Sequence, residues 1–246
     1  MTTCGRVLRR SSLALALAGC ADNVVVLELP ETPALGNDRA TVTGHVVDAD
    51  GGAILGATVT VRASGERATV DSNGAFVIDV PANTTLTLAA TAPNLATTLV
   101  PQFMISPEAS AAFTIPLVTG ARLASLRALG TNPTGGVVAI AVKSVSGAAT
   151  AAWGVTIELT PSNLGKVLYA PEGPGMPDPD PSLTAMRSGG DPSAWALGVQ
   201  PHVSIMTFTL HGASQVEPPI SIDDVTWPGT FTVEAGALTL VTLFTP

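Results

Sequence analysis

From Thr41 onward, apolar residues occupy every second position of short runs, and turn residues separate the runs. Val42, Gly44 and Val46 alternate with Thr41, Thr43 and His45, and Ala57, Val59 and Val61 alternate with Thr58, Thr60 and Arg62. Phe76, Ile78 and Val80 alternate with Val77 and Asp79, and Leu86 and Leu88 with Thr85 and Thr87. Successive side chains of a strand point to opposite faces, so this period places one face in a core and the other in water. Between the runs stand Asp48-Ala49-Asp50-Gly51-Gly52 and Asp71-Ser72-Asn73-Gly74. Asn-Gly tolerates the positive φ of a tight hairpin turn. Short strands with turns this frequent predict an antiparallel β-sandwich. With 46% hydrophobic and 12% charged residues, the chain has material for a packed core. Aromatics make up only 4%, so that core must rest on Val, Leu, Ile and Ala.

A second set of runs follows. Val137–Val142, Val155–Leu159, Trp195–Val199, His202–Leu210, Phe231–Glu234 and Leu238–Leu243 read as strands of a second sandwich over residues 134–246. Gly154–Leu159 parallels Gly56–Val61, and Trp195 parallels Phe76 as a core aromatic. The second landmarks lie further apart than the first, which predicts an insertion at about 160–190. It contains Pro171, Pro174, Pro177, Pro179 and Pro181 around Asp178 and Asp180. Such a segment is expected to be stiff, extended and solvated. Between the modules, Leu123, Leu126 and Leu129 recur at helical spacing before Thr131-Asn132-Pro133. A short helix is therefore expected inside a linker at 119–133. The expected fold is all-β: two tandem antiparallel, Ig-like or transthyretin-like β-sandwiches joined by a short helix.

Three segments of the first module carry a family resemblance. They are Gly44-His45-Val46-Val47-Asp48, Gly56-Ala57-Thr58-Val59-Thr60-Val61 and Thr69-Val70-Asp71-Ser72-Asn73-Gly74-Ala75-Phe76. Over residues 40–118 the chain resembles the carboxypeptidase regulatory-like domain, with residues 134–246 as a weaker second copy. The resemblance implies a seven-stranded, transthyretin-like sandwich. Modules of that kind accompany peptidase domains, and no peptidase motif is found in this sequence.

The first nineteen residues read differently. Arg6, Arg9 and Arg10 precede a short apolar stretch, Ser11–Ala18. The stretch is far below the roughly 20 apolar residues of a membrane-spanning helix and has the form of a secretory signal. Leu17-Ala18-Gly19-Cys20 resembles the lipobox of bacterial lipoproteins. That resemblance implies a lipid on the Cys20 sulfur and cleavage before it, with residues 20–39 as a tether. Ala21 after the cysteine favours the outer membrane over the inner by the same resemblance. Three of the eleven basic residues precede Cys20 and none of the nineteen acids does, so the remainder carries a net charge of −11. An acidic chain is repelled by nucleic acid and anionic lipid, so the membrane link is expected to be the lipid on Cys20. Cys4 is the other cysteine, and no disulfide is expected after cleavage.

Candidate chemistry is sparse. His45, His202 and His211 fall in no metalloprotease spacing, and no nucleophile elbow or phosphate loop occurs. No catalytic residue, metal or cofactor is assigned. Asp48, Asp50 and Asp71 admit two readings, a partial calcium loop or aspartates bonding their own turns. Trp153, Tyr169 and Trp227 are the candidate ligand-binding residues, because aromatics sharing an exposed face could stack on a sugar. The expected role is a non-catalytic, membrane-anchored binding or spacer module with a protein or glycan partner. The alternatives are a carbohydrate-binding module and a hydrolase with an unrecognised site.

Overall fold

The computed structural model describes residues 38–145, 154–173, 175–187, 193–201, 207–222 and 224–246. Cys20, its lipobox, the tether residues up to 37, Trp153 and His202 lie outside the described residues. Seven strands form the first half: β1 (Arg39–Val47), β2 (Thr58–Val61), β3 (Arg67–Thr69), β4 (Ala75–Pro81), β5 (Leu86–Thr91), β6 (Thr98–Ile105) and β7 (Ser110–Pro116). β4, β1 and β7 make one three-stranded sheet, and β3, β2, β5 and β6 lie in order within the facing one. The alternating residues meet between them. Val42, Val46, Val59, Val61, Phe76, Ile78, Leu86 and Leu88 all belong to one buried cluster. Gly44 is where β1 is most crowded. A Cβ there would stand 2.0 Å from the Phe113 carbonyl oxygen and 2.8 Å from the Phe76 ring, so only glycine fits.

The linker folds as helix α1 (Gly120–Ala128). The Thr119 hydroxyl caps it by accepting the Arg122 N–H at 3.1 Å. Leu123 and Leu126 are buried, whereas Leu129 lies just past the last turn and is exposed.

Eight strands follow: β8 (Gly136–Ser144), β9 (Thr156–Thr160), β10 (Lys166–Tyr169), β11 (Ala194–Val199), β12 (Thr207–His211), β13 (Ile220–Ile222), β14 (Val225–Trp227) and β15 (Leu238–Thr245). β9 and β12 pair with each other, and β10, β11, β8 and β15 stand side by side. Phe231–Glu234, expected as a strand, joins no sheet. Phe231 and Val233 are buried by their side chains without a ladder partner.

The two halves are not separate beads. β15 pairs in parallel with β8 over eight residues and with β6 at Leu238–Thr98 and Thr239–Leu99. The result is one ten-stranded sheet, β10-β11-β8-β15-β6-β5-β2-β3, with the β13–β14 hairpin on β6. β1 and β7 are also parallel, so the sheets are mixed rather than purely antiparallel. β8 and β11 pack one face on the second core, through Val138, Ile140, Ala194 and Ala196, and the other on a further apolar cluster, through Val137, Ala139, Trp195 and Leu197. Covering of both faces explains why Gly136–Val142 and Ala194–Val199 are buried throughout and do not alternate. A third apolar cluster seals the junction, with Leu123 and Leu126 of α1 against Val137, Trp195 and Leu238. Arg62 and Glu234 add an ion pair of 2.8 Å across the halves.

Candidate functional site

β7 is the edge of the three-stranded sheet, and among the described residues it pairs with β1 alone. The direction of its backbone groups follows from two hydrogen bonds and the register. Thr41 N–H donates to the Ala109 carbonyl at 3.0 Å, and Leu117 N–H donates to the Val47 carbonyl at 2.8 Å. In a parallel pair with this register, Ala111, Phe113 and Ile115 turn their amides and carbonyls toward β1. Ser110, Ala112 and Thr114 turn theirs the opposite way, and all three are exposed.

A groove of about 790 Å³ runs beside this edge. Its floor is the large sheet, through Ala139 and Ala141 of β8 and Leu240, Thr242 and Phe244 of β15. Trp227 and Val225 of β14 line it too, and Asp48, Ala49, Gly175 and Met176 complete the lining. The floor exists because β15 crosses from the second half into the first, leaving sheet surface that a three-stranded layer is too narrow to cover.

The Met176 contact is built from the proline-rich insertion, which was expected to be solvated and instead packs against the body. Met176 N–H donates to the Ala49 carbonyl at 2.9 Å, and the Met176 side chain is buried. Gly175 has φ +66°, and a Cβ on it would come within 2.2 Å of the Ala49 oxygen. The Trp195 indole N–H donates to the Pro177 carbonyl at 3.1 Å. The Arg122 guanidinium holds Asp178 Oδ1 at 2.7 Å and also donates to the Met176 carbonyl. Asp180 caps its own turn, accepting from the Ser182 hydroxyl and amide, and these bonds hold its carboxyl below the usual value.

A smaller cavity of about 200 Å³ lies where β15 peels away from β6. Phe208 and Phe231, stacked at 5.2 Å, line it with Trp227, Phe244 and Gln102.

The sequence candidates fall in different places. Tyr169 is buried in the second core, where its hydroxyl oxygen accepts the Ile157 N–H at 3.0 Å. Trp227 packs half-buried on the first core, against Phe103, Phe113 and Phe244. The two therefore share no face, and Trp153 is outside the described residues. Trp195 is fully buried, as its parallel to Phe76 implied. Asp48 Oδ1 accepts the Asp50 and Gly52 amides, and Asp71 Oδ1 accepts those of Asn73 and Ala75, all at 2.8–2.9 Å. These carboxylates thus cap their own turns. Among the described residues no cluster of His, Cys, Asp or Glu is arranged to hold a metal. His45 is exposed, and His211 pairs with Glu158 at 2.9 Å on an open strand surface. Sequence reasoning missed the β7 groove altogether. β7 was inside the predicted first module, but its edge position rests on pairing with β1, 69 residues away at Thr41–Ser110, and the groove floor on the Leu238–Thr98 pairing, 140 residues apart.

Residues 41–118 match the family model of the carboxypeptidase regulatory-like domain. No curated protein matches the chain. Among solved structures, an interface mutant of the type II cohesin–X-dockerin complex from Acetivibrio cellulolyticus is 24% identical, with a TM-score of 0.29. That match covers 33% of this chain and 58% of the other, so it spans a little over half of the solved chain. The Bacillus anthracis TIE protein is 14% identical over 85% of this chain and 34% of its own, with a TM-score of 0.28. The shaft pilin SpaA of Lactobacillus rhamnosus GG is 11% identical over 85% of this chain and 98% of its own, with a TM-score of 0.23.

Proposed function

We propose that this chain, whose residues 41–118 match the carboxypeptidase regulatory-like domain, is a non-catalytic binding module held at the cell envelope by lipid on Cys20. The observation that carries the binding role is the groove beside β7, where backbone groups left unpaired among the described residues border an apolar floor. A spacer would have no use for such a surface, because an open edge invites unwanted association. The lipobox Leu17-Ala18-Gly19-Cys20 supports the anchor, and Ala21 supports the outer membrane. The acidic balance of the chain supports a covalent attachment over an electrostatic one.

Fractionation of the bacterial envelope tests the anchor. The wild-type protein is expected in the membrane fraction, and the Cys20→Ser protein in the soluble fraction. Equal retention of both would overturn the lipid anchor.

A carbohydrate-binding reading has one observation in its favour. Trp227, Phe231, Phe208 and Phe244 gather around the smaller cavity, beside the hydroxyl of Thr230 and the carboxamide of Gln102. A glycan array separates the readings: a hit abolished by Trp227→Ala supports the sugar site, and an array without a hit removes it.

A further inference from the structure

We propose that the smaller cavity beside β15 binds a small quaternary ammonium ion that carries no anionic group of its own. The proposal goes beyond the binding-module reading, which rests on the groove beside β7 and not on this cavity. The first ground is what the walls are made of. Phe208, Phe231, Phe244 and Trp227 line the cavity; the three phenylalanines are buried and Trp227 is half-buried. The face of an aromatic ring carries partial negative charge and attracts a cation that has little hydration to lose. At about 200 Å³ the cavity is below the roughly 300–1,000 Å³ of sites for drug-sized ligands, so it suits one compact ion better than a chain of sugars.

The second ground is charge. Among the described residues Glu217 is the one charged residue that lines the cavity, and it is exposed. Arg62, which reaches β6 through Thr87, is matched by Glu234 at 2.8 Å. A cation is therefore drawn to the cavity, and an anion finds no base in its walls. This selects against phosphocholine, the lipid headgroup that carries the same ammonium, because its phosphate would meet Glu217. The third ground is hydrogen bonding. Gln215 Oε1 accepts the Leu210 N–H at 2.7 Å and its Nε2 donates to the Phe208 carbonyl at 3.1 Å, so both ends of this carboxamide are engaged with backbone. The Thr230 hydroxyl donates to Gln102 Oε1. A primary ammonium brings three N–H donors, and burying them without acceptors is costly. A quaternary ammonium brings none, so aromatic walls and one carboxylate are enough to hold it.

The test is isothermal titration calorimetry of the full chain in micelles of a non-ionic polyoxyethylene detergent, with choline chloride as the ligand. Saturable binding is expected. The uncharged alcohol in which carbon replaces the choline nitrogen keeps the shape and loses the charge, and it is expected to bind about fivefold or more weakly. Phosphocholine is expected to bind weakly to the same degree. Glu217→Lys reverses the charge at an exposed position outside both cores and is expected to weaken choline about fivefold or more. Trp227→Leu removes an aromatic wall and is expected to weaken it about tenfold. The proposal is overturned by no saturable choline binding, by equal binding of the uncharged alcohol, or by equal binding of choline to either variant. Phosphocholine binding as tightly as choline overturns the free ion in favour of a lipid headgroup. If Trp227→Leu does not fold, Glu217→Lys decides, because Glu217 lines this cavity and not the groove beside β7. Failure here leaves the groove and the Cys20 anchor standing, and failure of either of those leaves this cavity standing.

Discussion

Single side chains hold the turns of this fold in ways that can be measured. The Asp71 carboxylate accepts two backbone amides and closes the hairpin before β4. Asp71→Ala leaves both amides to water and is expected to cost about 1–2 kcal/mol, seen as a lower urea midpoint with an unchanged slope. Glu66 offers a pH test. Burial raises its carboxyl, but hydrogen bonds from Ser64 and Arg39, with the Arg39 charge, outweigh burial and hold it below 4.5. A carboxyl depressed on folding stabilises the protein fully above its unfolded value. That stabilisation disappears as pH falls through the lowered folded value. Stability of Glu66→Gln is therefore expected to fall less steeply than wild type below about pH 4.5, in denaturant titrations across pH 3 to 6. At this scale the sequence was legible where a residue acts on its own neighbours. The aspartate turns and the burial of Phe76 and Trp195 follow from local pattern. The burial of Tyr169 was not legible, because its hydroxyl finds its partner on β9, a strand that only the fold brings near.

Among the elements, the insertion shows what local composition hides. Its prolines make it stiff, and stiffness reads equally well as a solvated loop or as a preformed strut. Arg122, the fourth residue of the expected linker, decides the matter by gripping Asp178 and the Met176 carbonyl. Arg122→Ala is expected to increase hydrogen exchange of residues 175–180 at least tenfold. Global stability should fall by only about 1 kcal/mol, because Asp178 is largely exposed. Unchanged exchange would mean that the Trp195 and Ala49 contacts hold the loop alone. β1, β2, β4 and the start of β5 were legible because each alternates a wet face with a dry one, whereas β6, buried at six of its eight positions, carries no such alternation. β10, β13 and β14 were not, since three or four residues carry too little periodicity to be read. Phe231–Glu234 failed in the opposite direction: its alternation is real, but no neighbouring strand offers a ladder.

For the whole molecule, the shared sheet predicts that the halves melt together. Leu238 is fully buried at the point where β15 meets both β6 and β8. In variants retaining only Trp227 or only Trp195, fluorescence should report the same midpoint for the first core and for β11 at the junction. Leu238→Ala is expected to lower both by the same amount, with a loss of about 2–5 kcal/mol. Two separated midpoints would show that the halves unfold independently. The all-β class and the two clusters of strands were legible in the chain's periods, but the sheet that merges them was not. Pairing of Leu238 with Thr98 joins residues so distant that no local pattern records it. The same pairing creates the floor of the groove, which is why the candidate site stayed hidden although the floor strands β8 and β15 were foreseen.

β15 is also the last of the described strands to leave the ribosome, and this has a consequence in time. Until Leu238–Thr245 has been made, β6 and β8 each await their parallel neighbour. The nascent chain must therefore wait, with two half-finished layers, for its final stitch. For a chain exported as proposed, its period of greatest danger is set by how long the segment from Ile105 to Thr245 takes to emerge across the membrane.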